Sequence, residues 1–267
     1  MKRHAAPRPG AIFLAIFVLC MPLIVLGLQS SARVLPGIPL SGFAFLCIAA
    51  VAFWSAWRTD GRAGMRTLLG RVFDARRAKP WTWLVVSTLL FPALLLLEYL
   101  ILRGTNMPLP APQVAWFQAP VLFILFFIGA ACEEVTWSAT LLDLLQVRYS
   151  ALGAALCIGI FGVVLHVVPF AQANPSISWV VSQCLFIVEL RIVLAWLYNA
   201  SGHSLFAAVV CHAGYNTAWQ LFPNHGSGYN PWIAAALTGV VVAVVVTMFG
   251  ARTLAGHSHQ ALPADAW

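Results

Sequence analysis

Eight predominantly apolar runs of about 20 residues recur along the chain, at roughly 11–28, 38–57, 81–102, 114–142, 151–169, 177–199, 203–221 and 231–250. A helix rising 1.5 Å per residue needs about that length to cross hydrocarbon. Lipid offers no partner for backbone N–H and C=O groups, so such runs must satisfy them internally as helices. The expected fold is an all-α polytopic membrane protein with about eight transmembrane helices. Composition agrees: 61% of the 267 residues are hydrophobic and only 9% are charged, against about 25% charged in a soluble domain. The gaps carry turn chemistry, as in "LPGIP", "QANPS", "NASGH" and "PNHGSGYNP". No small-residue cleavage site follows the first run, so it is read as a span and not a leader.

The net charge of +7 is accounted for by topology. Lys and Arg gather on the cytoplasmic side. With the N-terminus inside, the inner segments hold 12 of them, from Lys2 to Arg252, and the outer loops hold Arg33 and Arg103. Both termini are therefore expected in the cytoplasm, with the plasma membrane as the location. No nucleic-acid partner is implied. Between spans two and three, "RTDGRAGMRTLLGRVFDARRAK" mixes Arg with Leu68, Leu69, Val72 and Phe73. It reads as a basic interfacial helix on anionic lipid headgroups. The six cysteines all lie in apolar runs, without metal or disulfide spacing.

Few polar residues remain inside the spans: Glu98, Glu133, Glu134, Asp143, His166, Glu189, Arg191, His212 and Asn216. Ionisable groups in a membrane are costly and are functional candidates by default. Glu98 lies near a span end, where it is expected to snorkel, and Asp143 is expected to be solvated. His203, His225, His257 and His259 lie outside the spans and carry no expectation of function. Trp81, Trp83, Tyr198 and Trp232 fit an interfacial aromatic belt. Glu133 and His166 lie about 16 and 17 residues from the inner turn near Tyr149, or roughly 25 Å. Arg191, Glu189, His212 and Asn216 lie about 10 to 15 residues from the turn near Ser201, or roughly 15 to 22 Å. The four helices can thus bring their polar groups into one layer.

A carboxylate, two imidazoles and an amide in one buried layer can cleave an acyl bond. A carboxylate can deprotonate water, an imidazole can orient it, and imidazole and amide N–H groups can receive a developing oxyanion. Two His and one Glu also form a catalytic zinc set in some hydrolases, so a divalent metal such as zinc is a second use of the same residues. The zincin pattern His-Glu-x-x-His is absent, as is a Gly-x-Ser-x-Gly setting. Ionisable groups in spans also suit a small-solute or proton-coupled transporter, although no internal repeat is evident. Two adjacent buried carboxylates need a cation or donors. Arg191 is the one Lys or Arg deep within a span, so it is expected to reach the Glu133–Glu134 pair.

The motifs resemble those of the CPBP family of intramembrane proteases, which includes CAAX prenyl endopeptidases and Abi bacteriocin-immunity proteins. That family carries Glu-Glu-x-x-x-Arg, Phe-x-x-x-His and His-x-x-x-Asn. Here "EEVTWS" supplies Glu133 and Glu134, "FGVVLHVVPF" supplies His166, and "CHAGYN" supplies His212 and Asn216. The resemblance implies a CPBP-like core at 114–222, preceded by three spans and a basic loop at 1–113 and followed by a last span and tail at 223–267. It implies an endopeptidase acting on a peptide or lipidated peptide. Glu133 and His166 would activate water, Glu134 would support the site, and His212 with Asn216 would form the oxyanion pocket. Two positions depart from the pattern: Ser138 stands where the motif has Arg, and Gly162 where it has Phe. Loss of the motif Arg motivates a further alternative, a pseudoprotease that binds a membrane partner without cutting it.

Overall fold

The computed structural model describes residues 7–30, 32–35, 38–105, 107, 109 and 117–256. His257 and His259 lie outside the described residues. Among the described residues, eight main helices follow one another: α1 (Pro9–Gln29), α2 (Ala44–Val72), α3 (Thr82–Gly104), α4 (Gln118–Gln146), α5 (Ala151–Ala173), α6 (Ile177–Ala200), α7 (Leu205–Leu221) and α8 (Pro231–Phe249). Between α1 and α2, a short antiparallel pair, β1 (Arg33–Leu35) and β2 (Ile38–Pro39), leads into a 3₁₀ turn at Leu40–Phe43. The molecule is an all-α polytopic membrane protein.

Over the described residues each predicted span is occupied by a helix, in keeping with about eight transmembrane helices. Among the described residues, seven helices are long and apolar enough to cross a membrane. The eighth, α7, has 17 residues and is lined almost throughout by buried side chains. It is enclosed by α3 and α4, so its sequence is shaped by packing against protein. The α6 helix is the other central element: 61% of its most apolar 18-residue window is buried, against 22–33% for the other six. The helices α1, α2, α3, α4, α5 and α8 surround these two, and many of their outward residues are large and apolar, such as Leu14, Leu96, Ile128 and Val240. That pattern suits contact with lipid tails.

Sequence-local signals start the last four helices. Side-chain oxygens of Ser150, Ser176, Ser204 and Asn230 accept backbone N–H groups of Gly153, Trp179, Ala207 and Trp232. Each satisfies one of the orphan donors of a helix N-terminus. The basic segment after span two is a continuation of α2 beyond a kink at Asp60 and Gly61. Gly61 has φ 61 and ψ −142, a conformation open essentially to glycine. Past the kink, Leu68 and Val72 are buried while Arg62, Arg66 and Leu69 are exposed.

Four sequence expectations are overturned near the helix ends. Asp143 is 3% exposed and not solvated; the hydroxyl of Tyr198 donates to its Oδ2 at 2.7 Å. Arg71 donates to the same hydroxyl and lies 3.6 Å from the same carboxylate oxygen. His203, expected to be idle, has Nδ1 3.7 Å from Asp143 Oδ1. Tyr198 is accordingly fully buried and belongs to no aromatic belt, whereas Trp81 and Trp232 are exposed. Glu98 does not snorkel: it is fully buried and accepts the backbone N–H of Asn230 at 2.6 Å. Local sequence could not foresee these partners because each comes from a distant helix or loop.

Candidate active site

Successive residues on a helix point about 100° apart, and this separates the paired carboxylates of α4. Glu134 turns into the protein and is 0% exposed. Glu133 turns into a cavity of about 600 Å³. Each receives a donor four residues later: the Trp137 indole N–H donates to Glu133 at 3.2 Å, and the Ser138 hydroxyl donates to Glu134. Directly after the pair, α4 widens into a π-helical turn at Trp137–Leu142, where the Thr140 hydroxyl donates to the Val135 carbonyl at 2.7 Å. Such turns recur at functional sites.

The counter-charge for Glu134 comes from α6. Arg191 grips it through two parallel contacts, Nη1 to Oε2 at 2.8 Å and Nη2 to Oε1 at 2.7 Å. The fork geometry makes this a strong, directional ion pair. Arg191 Nη1 also lies 3.5 Å from the Ser138 hydroxyl, so the guanidinium sits beside the position that carries Arg in the motif. Gly159 on α5 helps to bring α6 close. A Cβ there would lie 3.1 Å from the Val188 Cα and 3.4 Å from the Arg191 Cβ, so a larger residue would press the helix that delivers Arg191.

Each histidine has one ring nitrogen engaged. His166 Nδ1 is 2.8 Å from the Gly162 carbonyl, which can only accept. Nδ1 therefore carries the proton, and Nε2 of the neutral ring is left as an acceptor. Gly162, a motif departure, supplies this contact through its backbone. His212 Nδ1 donates to Glu134 Oε1 at 2.9 Å. Its Nε2 is then a donor only in the imidazolium form. Glu134 is thus a hub that fixes Arg191, Ser138 and His212 and has both oxygens engaged.

Glu133, His166, Arg191, His212 and Asn216 all line the one cavity, with Trp137, Gly159, Gly162, Tyr215 and Trp219. Its walls are otherwise largely apolar, from Ile24, Phe43, Phe45, Ile48, Leu125, Phe126 and Phe170. Volume and lining suit a mostly apolar ligand oriented by a few polar groups. The structure thus brings together six of the nine polar residues singled out from sequence: Glu133, Glu134, His166, Arg191, His212 and Asn216. Reasoning from sequence missed Trp137, although its four-residue spacing from Glu133 was available. Glu189 does not join the site; its carboxylate lies against Gly239 of α8. A zinc set fits poorly. Among the described residues, no three His, Cys, Asp or Glu side chains come together as metal ligands, and Glu134 is already occupied by Arg191 and His212.

These features define a polytopic membrane protein with a buried Glu–Arg–His hub beside an apolar cavity. Residues 115–218 match the family model described as Type II CAAX prenyl endopeptidase Rce1-like. A curated relative, CAAX prenyl protease 2 of Methanococcus maripaludis, is 27% identical over 166 residues, 55% of this chain and 59% of the relative. Residues 115–218 are thus similar to the CAAX prenyl endopeptidases that the motifs also resemble, and the chain spans 59% of the length of this curated relative.

Proposed function

We propose that the protein is an intramembrane endopeptidase that hydrolyses a peptide bond in a membrane-associated or lipidated peptide. The observation that carries this reading is the division of labour within the Glu pair. Glu134 is neutralised by Arg191, which leaves Glu133 as the carboxylate facing the cavity. Glu133 takes a proton from a water held by His166 Nε2, and the water oxygen attacks the scissile carbonyl carbon. The Asn216 amide donates to the oxyanion that forms, joined by His212 Nε2 when that ring is charged. Collapse of the tetrahedral intermediate breaks the C–N bond, and the proton passes from Glu133 to the leaving nitrogen.

The name of the curated relative supports a prenylated peptide as one form of substrate, and the apolar walls are compatible with a lipid chain. The presence of Arg191 at Glu134 favours catalysis over a binding-only relative, because the motif guanidinium is replaced in space. Both termini are assigned to the cytoplasm and the protein to the plasma membrane, on the distribution of Lys and Arg. The test uses purified protein and a quenched-fluorescence peptide library. Wild type is expected to release fluorescence, and Glu133→Gln is expected to lose that activity while folding normally. Cleavage at the wild-type rate by Glu133→Gln would remove the base from this scheme.

A further inference from the structure

The cavity contains polar side chains that the hydrolytic scheme does not use. Gln183 on α6 and Ser41 in the 3₁₀ turn before α2 both line it, and each is only 4% exposed. The Ser41 hydroxyl has no hydrogen-bond partner among the described residues. Gln183 is in none of the hydrogen bonds that order Glu134 or His166. A buried polar group without a partner is destabilising, so the Ser41 hydroxyl calls for a partner from a ligand, and the Gln183 amide lines the same cavity.

Their depth can be set by helix rise. Gln183 precedes Arg191 by eight residues on α6, or about 12 Å along the axis. Ser41 adjoins Gly27, where an added Cβ would lie 3.0 Å from the Ser41 Cβ. The Gly27 carbonyl accepts from Gln172 Nε2 at 2.9 Å, and Gln172 is six residues beyond His166 on α5, about 9 Å. Both groups therefore lie beyond the reaction layer, toward the turn joining α5 and α6. An extended peptide rises about 3.3 Å per residue, so 9 to 12 Å is roughly three to four residues.

We infer that Gln183 and Ser41 form a second polar station that binds the backbone of an extended peptide about three to four residues from the bond cut at Glu133. The depth scale rests on the hydrolase reading. The ligand class is a peptide with free backbone N–H and C=O groups at that distance. Gln183 offers one amide oxygen as acceptor and one amide nitrogen as donor, and the Ser41 hydroxyl offers both functions. The station orients the chain and takes no part in bond making.

Binding is measured first, so that turnover is not required. A fluorescent decapeptide library is applied to Glu133→Gln protein in detergent, with Glu133→Gln/Gln183→Leu and Glu133→Gln/Ser41→Ala beside it. Retention is expected to fall roughly three- to tenfold in both double variants, the range of one net hydrogen bond. Gln183→Met serves as a second shape control, and thermal melting checks that all variants fold. A retained peptide is then resynthesised with single backbone amides replaced by esters. The replacement is expected to weaken binding at one position only, and to have no effect there in the Gln183→Leu background. In the wild-type background, Gln183→Leu is expected to raise KM by a similar factor and change kcat less than twofold. Equal retention by all variants, no retention by any, or an ester effect that survives Gln183→Leu overturns the station. Gln183-dependent retention with no hydrolysis by wild type would instead overturn the hydrolase reading and leave the station standing.

Discussion

Arg191→Ala tests how the buried carboxylate is tolerated. Glu134 is fully enclosed, Arg191 is 7% exposed, and two contacts of 2.7 and 2.8 Å join them. Removing one partner of such a pair leaves an uncompensated charge and costs about 3 to 5 kcal/mol. Ser138 and His212 still donate to Glu134, which favours the lower end of that range. A loss of about 3 kcal/mol corresponds to a fall in melting temperature of roughly 6 to 12 °C for a chain of this size. Intrinsic Trp fluorescence in detergent follows it, and peptide hydrolysis is measured below the melting range. Activity is expected to fall as well, because Glu134 fixes His212 from the side opposite the cavity. Two second-site changes separate charge from shape. Adding Ser138→Arg returns a guanidinium one helical turn from Glu134 and is expected to recover part of both losses. Adding Glu134→Gln removes the orphaned charge and is expected to recover stability without activity. An Arg191→Ala protein that melts within about 2 °C of wild type, a change of no more than about 1 kcal/mol, would refute the reasoning.

Asn216→Ala is expected to lower kcat about 10²- to 10³-fold with little change in KM; an effect on KM alone would assign Asn216 to substrate positioning. Activity is expected to survive exhaustive chelation, because no three metal-type side chains converge among the described residues; loss on chelation with recovery on adding zinc would reverse that expectation. Gly159→Leu is expected to reduce hydrolysis by pushing α6 away from α5, with Gly159→Ala milder, and unchanged kcat in both would remove the close approach as a requirement. Tyr198→Phe is expected to lower thermal stability by about 1 to 3 kcal/mol, since Asp143 and Arg71 both lose their bridging hydroxyl.

Lipid exposure made the fold legible. The bilayer imposes a fixed length on every crossing element, so the helices appear in sequence as apolar runs with turn residues between them. The enclosed position of α7 was not legible, because an apolar helix enclosed by protein and one facing lipid look alike in composition. The site was legible where rarity carried information. Glu133, Glu134, His166, Arg191, His212 and Asn216 stand out against hydrocarbon, and distance from the turns near Tyr149 and Ser201 gave their common depth. The roles within the set were not readable. That Glu134 and not Glu133 meets Arg191 depends on helix rotation, and the tautomers of His166 and His212 depend on which acceptors face them. Asp143 and Glu98 were misjudged because nearness to a span end was taken for exposure, while Tyr198 and the Asn230 backbone approach them from elsewhere in the chain.

The wide turn at Trp137–Leu142 acts as a phase shifter within α4. Upstream of it the helix must aim Glu134 at Arg191, and downstream it must aim Asp143 at Tyr198. A π turn holds about one residue more than an α turn, so it rotates one end of α4 against the other by about 100°. Deleting a single residue between 137 and 142 would restore regular α-helix and leave the two ends out of register. One of the two buried carboxylates would then face the wrong neighbours, whichever end the bundle held in place. The reaction layer and the Asp143 anchor of the basic segment are therefore geared together through one irregular turn, and length changes there should be far more damaging than substitutions.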